Sequence, residues 1–423
     1  STEMIGDGAW VGRARLAPAG ATHEERASRR AALGLQSIGG YPEDAATLPP
    51  PPSTPRGNGD ASADVAGAAS AVADTQKPRQ EEDDDLPTGI VRHGARLHVL
   101  VHGSYLKTDA DELVVRRRRD EVYRCPLDDL DLVYLQGRGM TVSADLPLAL
   151  ARRGIPIVLA STQGNTLAAL TPIATGKAKL RAQQALRRDD PEIVRIGLAM
   201  LAAKVDNQAS LLKYFAKYRA RVDEELAREL NDAAGRLRGS ADALGGQNPA
   251  SANARTVGMG IEGHAAALYW HAVRALISPE LGFRGRVTRD ATDPVNQCLN
   301  YVYGALYAEV WRAVAASGLD PYFGLIHGSQ RDQGSLVFDL IEELRAAFGD
   351  RVVLGLLGRG FRPETATDGA LRTRSRRILA RAFLKAWCSP TRCRTGRRAP
   401  ADLIQRQASS LARVFDRDGS YRP

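Results

Sequence analysis

The hydrophobic pattern of this chain changes its period once, near residue 171. Between residues 90 and 170 the apolar residues form short alternating or continuous runs separated by turn residues, as β-strands do. After that they recur at three- and four-residue spacing, as in amphipathic helices. The pattern therefore predicts an α+β multidomain protein in which a small β-domain precedes an all-α domain.

The same pattern predicts the individual elements. Strands are expected at 97–101, 112–116, 121–126, 132–135, 155–159 and 166–170, with a helix at 143–153 and a solvated hairpin end at 116–119. Helices are expected at 177–188, 192–218, 222–238, 257–277, 293–317, 335–348, 371–387 and 401–415. Glu262 is on a central helix of this series.

Residues 1–88 have a different composition from the rest. They contain a run of prolines at 49–52, an Ala/Ser/Asp/Gly tract at 57–74 and an acidic run at 81–85. Such a composition cannot bury enough apolar surface to offset the loss of chain entropy. We expect a linker or disordered tail, and we interpret it as a candidate remnant of a module fused upstream.

Basic charge is concentrated in one segment. The net charge is +9. Residues 359–398 contain twelve Lys and Arg but only two acidic residues, Glu364 and Asp368. This indicates a polyanionic partner, and nucleic acid rather than a membrane, because no amphipathic anchor accompanies it. The alternative is a solvated face in an Ala- and Arg-rich composition. The candidate phosphate contacts are Arg284, Arg286, Arg289, Arg359, Arg362, Arg372, Arg374, Arg376 and Arg377.

Four cysteines in 423 residues favour a reducing compartment over a disulfide scaffold. Cys388 and Cys393 are the only close pair, and no second pair or His cluster accompanies them, which argues against a zinc site there. The chain has neither a run of about 18 apolar residues nor a signal-peptide pattern. We therefore expect a soluble, cytoplasmic protein.

Glu262 lies among small residues, and no basic residue nearby in the sequence offers it a partner. Because a buried carboxylate without a partner costs several kcal/mol, it should face either solvent or a bound cation.

Downstream of Glu262, one histidine, His327, and an acidic helix lie close together in the chain. At about 100° per residue, Asp339 and Glu342 project about 60° apart from one helix. Glu343 lies only about 40° from Asp339, so the helical wheel cannot choose between the two glutamates. Together with Glu262 and His327, these groups suit Mg²⁺ or Mn²⁺. Alternatively, His327 is a hydrogen-bonded turn residue and the carboxylates form a solvated helix face.

Ordered motifs connect these residues to a known family. The helical half contains GIEG at 260–263, DPVN at 293–296, GLIH at 324–327 and SLVFDLIEE at 335–343. The β-rich half contains LHVLVHGSYL at 97–106, PLDDL at 126–130 and GIPIV at 154–158. Together they resemble the CRISPR-associated protein one family, the spacer-acquisition integrases. The resemblance covers about residues 89–423.

The resemblance implies a β-sandwich-like dimerisation domain at 89–172 and an α-helical catalytic domain at 173–423 that holds one divalent metal. It implies Glu262, His327 and Glu342 as ligands, and thus selects Glu342 over Glu343, with Asp339 as a supporting catalytic acid. A family proline and acidic stretch are missing after Arg345, which puts a role for Asp350 in doubt. Gly260, Gly263 and Ala265 would be small so that a neighbouring helix and a DNA phosphate can approach.

The implied activity is insertion of short DNA duplexes, new spacers, into a CRISPR repeat array. A terminal 3′-hydroxyl attacks a phosphodiester, and the same site acts as an endonuclease when water attacks instead. The implied partners are double-stranded DNA, a small ferredoxin-like CRISPR-associated protein two, a second copy of this chain, and a reverse transcriptase or other adaptation module fused upstream. The alternatives are a stand-alone metal-dependent DNA endonuclease and a non-catalytic subunit that cradles DNA.

Overall fold

A computed structural model of the protein describes residues 89–171, 177–288, 291–328, 334–366, 369–393 and 396–416. The predicted linker at 1–88 lies outside the described residues. The described chain consists of a β-rich region up to Leu170 followed by a helical region, as the change of hydrophobic period predicts.

The β-rich region contains two sheets. The five-stranded sheet has the order β1-β2-β6-β8-β9, and the four-stranded sheet has the order β5-β4-β3-β7. The strands are β1 (Ile90–His93), β2 (Arg96–Val99), β3 (Ser104–Asp109), β4 (Glu112–Arg117), β5 (Asp120–Pro126), β6 (Leu132–Gln136), β7 (Thr141–Val142), β8 (Ile157–Ala160) and β9 (Thr166–Leu170). Strands β2, β6 and β8 run parallel, while β1 and β9 are antiparallel edges.

The two sheets share one apolar core, which gives the sandwich-like arrangement. Leu97 and Val133 of the larger sheet belong to the same buried cluster as Leu106 and Leu113 of the smaller one. Helix α1 (Asp145–Arg152) also contributes to this cluster. The sequence pattern missed β1, β3 and β7, because each is short or carries polar residues that blur the alternation. The hairpin end predicted at 116–119 joins β4 to β5, with Arg118 in the left-handed region at φ 58°.

Within the described residues, all eight helices predicted after residue 171 are present, together with a ninth that was not predicted. In chain order they are α2 (Ala178–Leu186), α3 (Pro191–Arg219), α4 (Glu224–Gly245), α5 (Ala254–Leu276), α6 (Pro294–Ala316), α7 (Ser335–Leu344), α8 (Arg351–Gly358), α9 (Thr373–Cys388) and α10 (Pro400–Asp416). The helix predicted at 335–348 is longer than expected, because α7 passes through a π-helical segment (Arg345–Asp350) into α8. Among the described helices, none is long and apolar enough to cross a membrane.

Helix α3 is the centre of the helical region. It is buried along most of its 29 residues and packs against α4, α5 and α7. Polar residues interrupt its apolar surface at Lys204, Asp206, Asn207 and Gln208, all of which are buried. Because buried polar groups need partners, this stretch of α3 marks a polar region inside the helical core.

The β-rich region is fixed to helix α6. Tyr134 of β6 and Val158 of β8 pack against Ala308, and Arg96 forms an ion pair with the fully buried Glu309 at 3.3 Å. The loop before β9 comes so close to α6 that a Cβ placed on Gly304 would lie 1.7 Å from the carbonyl oxygen of Gly164. The sheet thus rests directly on the helix that supports one side of the site described next.

Candidate functional site

Three helices bring Lys204, Glu262 and Glu342 together. The Lys204 ammonium on α3 lies 2.5 Å from Oε1 of Glu262 on α5 and 2.5 Å from Oε2 of Glu342 on α7. Burial disfavours the charged amine, but the two carboxylates outweigh it and raise the pKa of Lys204. Both carboxylates therefore point at one position, which the ammonium occupies.

Lys204 corrects the expectation that Glu262 has no cationic partner. Its partner lies 58 residues earlier in the chain and on another helix, so inspection of the neighbouring sequence could not find it. A signal was available, since a lysine in the middle of an apolar helical stretch must have a buried partner or reach solvent.

Glu342 and Glu343 separate into different surroundings. Oε1 of Glu342 forms an ion pair with Nη1 of Arg345 at 2.8 Å. Glu343 points elsewhere, and its carboxylate accepts a hydrogen bond from Nε2 of Gln407 at 3.0 Å. Burial alone would raise the pKa of Glu342, but Arg345 and Lys204 bring it down to about 2. Burial raises the pKa of Glu343 to about 8. The side chain that faces Glu262 is thus Glu342.

Asp339 holds His327 in place. Its Oδ1 lies 2.6 Å from His327 Nδ1 and accepts the His327 backbone N–H at 3.2 Å, while Oδ2 accepts the N–H groups of Leu325 at 2.5 Å and Ile326 at 3.0 Å. The hydrogen bond to Asp339 is the main cause of the raised pKa of His327. Because Nδ1 is engaged, Nε2 is the nitrogen left for another ligand.

The alternative of a solvated helix face is wrong. The exposed fractions of Asp339, Glu342 and Glu343 are only 2%, 4% and 1%. These three carboxylates are buried with named partners, so their place on α7 is set by the interior of the protein rather than by solvent.

The donor set suits a hard divalent cation, although no metal is needed to explain the geometry as it stands. Within the described residues, no three His, Cys, Asp or Glu side chains lie close enough together to form a metal site. Lys204 stands between Glu262 and Glu342, at the position where these two carboxylates would hold a cation. Two carboxylates and an imidazole fit Mg²⁺ or Mn²⁺ by ligand chemistry.

Asp350, whose role the sequence left in doubt, ties two helices to the site. It accepts hydrogen bonds from Tyr269 on α5 at 2.7 Å and from Tyr303 on α6 at 2.5 Å. Burial nevertheless raises the pKa of Asp350 to about 6. The guanidinium of Arg345 lies over the Tyr303 ring, 5.0 Å from the ring centroid. Tyr269 is thus a buried core residue, and Asp350 supports the arginine that holds Glu342.

The predicted phosphate contacts divide by exposure. Arg284, Arg362, Arg372 and Arg374 are exposed, Arg359 and Arg377 are half-buried, and Arg289 lies outside the described residues. Arg286 is held by the protein, with Asn296 Oδ1 at 3.0 Å and Asn300 Oδ1 at 2.6 Å. The prediction is wrong for Arg376, which is 8% exposed and lies near Tyr134 of the sheet and Tyr301 of α6.

The small residues around Glu262 do not all act as predicted. A Cβ added to Gly260 or Gly263 would meet nothing within 4 Å, so no neighbouring helix requires a glycine there. The close approach occurs one turn earlier, where a Cβ on Gly258 would lie 2.5 Å from Leu198 of α3. Gly260 and Gly263 instead leave open backbone beside Glu262.

Comparison with known proteins identifies the family. Residues 97–386 match the family model of CRISPR associated protein Cas1, and this chain belongs to that family. It is 35% identical over 274 residues to a CRISPR-associated endonuclease Cas1 of Korarchaeum cryptofilum, which covers 61% of this chain and 79% of the relative. It is 32% identical over 338 residues to one of Archaeoglobus fulgidus, covering 77% and 98%.

Solved structures share the fold. A casposase bound to integration product superposes with a TM-score of 0.61 at 19% identity, covering 74% of this chain and 88% of that one. A Cas6-RT-Cas1–Cas2 complex superposes with a TM-score of 0.62 at 19% identity, covering 80% of this chain and 36% of that one. The architecture of a β-rich region followed by a helical region is therefore that of the Cas1 family.

Proposed function

We propose that this protein is a metal-dependent DNA integrase that inserts short duplexes into a CRISPR repeat array. The observation that carries the proposal is the convergence of Glu262 and Glu342 on one cation position in a Cas1-family chain. The curated relatives are named endonucleases, and a structural neighbour is a casposase bound to integration product. Attack by a DNA hydroxyl or by water at one site accounts for both activities.

Glu262, His327 and Glu342 would hold Mg²⁺ or Mn²⁺, which when bound supplies Lewis-acid stabilisation of charge on the phosphate. Asp339 fixes the His327 ring through Nδ1, so that the imidazole is held in one orientation. Arg345 keeps Glu342 ionised and in place through Oε1. These side chains prepare the site before DNA arrives.

The reaction needs no covalent protein intermediate. The 3′-hydroxyl oxygen of the incoming duplex forms a bond to phosphorus at the repeat boundary, and the 3′-oxygen of the cut strand leaves. The role of the protein is to orient the two DNA ends and to stabilise the charge that develops on the phosphate. Open backbone at Gly260 and Gly263 gives a DNA strand room beside Glu262.

The proposed DNA contacts are the exposed arginines near α9 and before α6. Arg284, Arg362, Arg372 and Arg374 can reach phosphates without reading base sequence. We propose a homodimer formed through the β-rich domain at 89–172, the catalytic domain at 173–423, and a small Cas2-type partner. The Cas6-RT-Cas1–Cas2 complex among the structural neighbours supports both that partner and an upstream fusion. Because the proposed substrates of this protein are DNA, we also propose a cytoplasmic location.

A strand-transfer assay tests the proposal. The protein and its partner are incubated with Mn²⁺, a duplex carrying a 3′-hydroxyl and a supercoiled plasmid with the repeat. Wild type should give joined product, Glu262→Gln should give none, and Lys217→Met, an exposed change on α3, should behave as wild type. Joined product that persists in Glu262→Gln contradicts the proposed site, while cleavage without joining in wild type favours the stand-alone endonuclease.

A further inference from the structure

We propose that Lys204 is the resident counterion of the site: in the metal-free protein its ammonium holds Glu262 and Glu342 together, and it competes with the divalent cation for them. Lys204 is thus a positioning residue. The proposal rests on the metal ligands proposed above. It goes beyond them because it assigns the metal-free state of the site to a side chain of this protein.

The geometry is specific to Lys204. Its ammonium is the basic group that lies at 2.5 Å from both carboxylates, whereas Arg345 touches Glu342 alone, through the other oxygen. The guanidinium of Arg345 is also held over the face of the Tyr303 ring. Among the described residues, these contacts leave Lys204 as the cation between the two helices that carry the ligands.

Burial makes this ion pair more than a surface contact. Counting side-chain atoms only, Lys204, Glu342 and Glu262 are 11%, 5% and 20% exposed. Two carboxylates brought together away from water repel each other strongly unless a cation separates them. Lys204 therefore keeps α5 and α7 in position when no metal is bound.

The same charge balance opposes metal binding. Lys204 and Arg345 already offset the charges of Glu262 and Glu342, so a divalent ion meets two ligand carboxylates that are already neutralised. The ammonium also occupies the position that faces both ligands and must give it up. Removing the charge of Lys204 should therefore increase the affinity for a divalent cation and decrease the stability of the metal-free protein.

The experiment measures Mn²⁺ itself on the full chain. Mn²⁺ binding is followed by electron paramagnetic resonance and by the rise in Tm that Mn²⁺ produces, for wild type, Lys204→Met, Lys204→Arg and the control Lys217→Met. Lys204→Met should bind Mn²⁺ about tenfold more tightly or better. Its Tm without metal should be lower, and the rise with Mn²⁺ larger. Lys204→Arg and Lys217→Met should stay near wild type.

The outcomes separate this proposal from the metal site on which it rests. Equal or weaker Mn²⁺ binding by Lys204→Met, with wild-type binding that Glu262→Gln abolishes, overturns the role of Lys204 and leaves the metal site standing. Mn²⁺ binding by wild type that Glu262→Gln leaves unchanged overturns both. Should Lys204→Met not fold, Lys204→Gln removes the same charge with a polar side chain. It should then show the tighter Mn²⁺ binding expected of Lys204→Met.

Discussion

Glu342 and Glu343 are adjacent in the chain, yet their carboxylates lie in opposite electrostatic surroundings. Glu342 lies between Lys204 and Arg345, which bring its pKa down to about 2 despite burial. Glu343 lies in an apolar interior with a single amide donor, and burial raises its pKa to about 8. One carboxyl group is held ionised, and its neighbour is held protonated inside the core.

Glu343→Gln should make the protein more stable at alkaline pH. Because the pKa of Glu343 is higher in the folded chain than the ordinary 4.5, wild type loses stability as pH rises from about 4.5 to about 8. The variant lacks this loss, so its advantage should grow to a few kcal/mol near pH 8 and vanish near pH 4. Urea unfolding across this pH range, without metal, measures it.

Glu342→Gln is the matched comparison and should show the opposite trend. The depressed pKa of Glu342 means that its stabilisation is present above about 4.5 and lost as pH falls toward 2. The variant should therefore be less stable than wild type at pH 7 and approach it in acid. Parallel pH profiles for the two variants would contradict the opposite surroundings of these carboxylates.

Asp339→Asn should impair both folding and activity. An amide group replaces an oxygen that accepts from backbone N–H groups of Leu325 and Ile326 or from His327, and buried donors lose their acceptor. We expect a loss of about 2 kcal/mol in stability and about 10–100-fold in strand transfer.

The pH dependence of Mn²⁺ binding gives a sharper test of Asp339. Its hydrogen bond raises the pKa of His327, and a protonated imidazole cannot bind a metal. Mn²⁺ binding by wild type should weaken as pH falls through that raised pKa. In Asp339→Asn the fall should shift to lower pH, whereas an unchanged profile would contradict the role of Asp339 in orienting and charging His327.

Arg372→Ala should weaken DNA binding, whereas Arg376→Ala should lower thermal stability. Arg372 is exposed, so its loss should weaken duplex binding evenly across sequences and reduce the slope of log K against log salt by about one. Arg376 is buried against the sheet, so its loss should lower Tm and leave the salt slope unchanged. Binding isotherms at several salt concentrations and thermal unfolding distinguish the two. A reduced slope in Arg376→Ala would contradict its assignment to the interior.

Much of the fold follows from local pattern. The change of period near residue 171 correctly separates the β-rich region from the helical region, because side-chain alternation and helical spacing are properties of neighbouring residues. The strands that the pattern missed, such as Thr141–Val142, are too short to show a period. The continuation of α7 through Asp350 was also missed, since a π-helical segment breaks the helical spacing.

The site required more than local pattern. Motif order predicts Glu262, His327, Asp339 and Glu342 as site residues, whereas the helical wheel alone leaves Glu342 and Glu343 equivalent. Lys204 was missed because its partners are distant in sequence and only helix packing brings them together. The burial of Arg376 likewise depends on contact between the sheet and α6, which charge counting cannot reveal.

Anomalous diffraction from crystals grown with Mn²⁺ would locate the bound metal. We expect one strong manganese peak bounded by Glu262, His327 Nε2 and Glu342, with ligand distances of about 2.0–2.4 Å and the Lys204 ammonium displaced from between the carboxylates. A manganese peak elsewhere on the helical region, with Lys204 still joining Glu262 to Glu342, would contradict the proposed metal site.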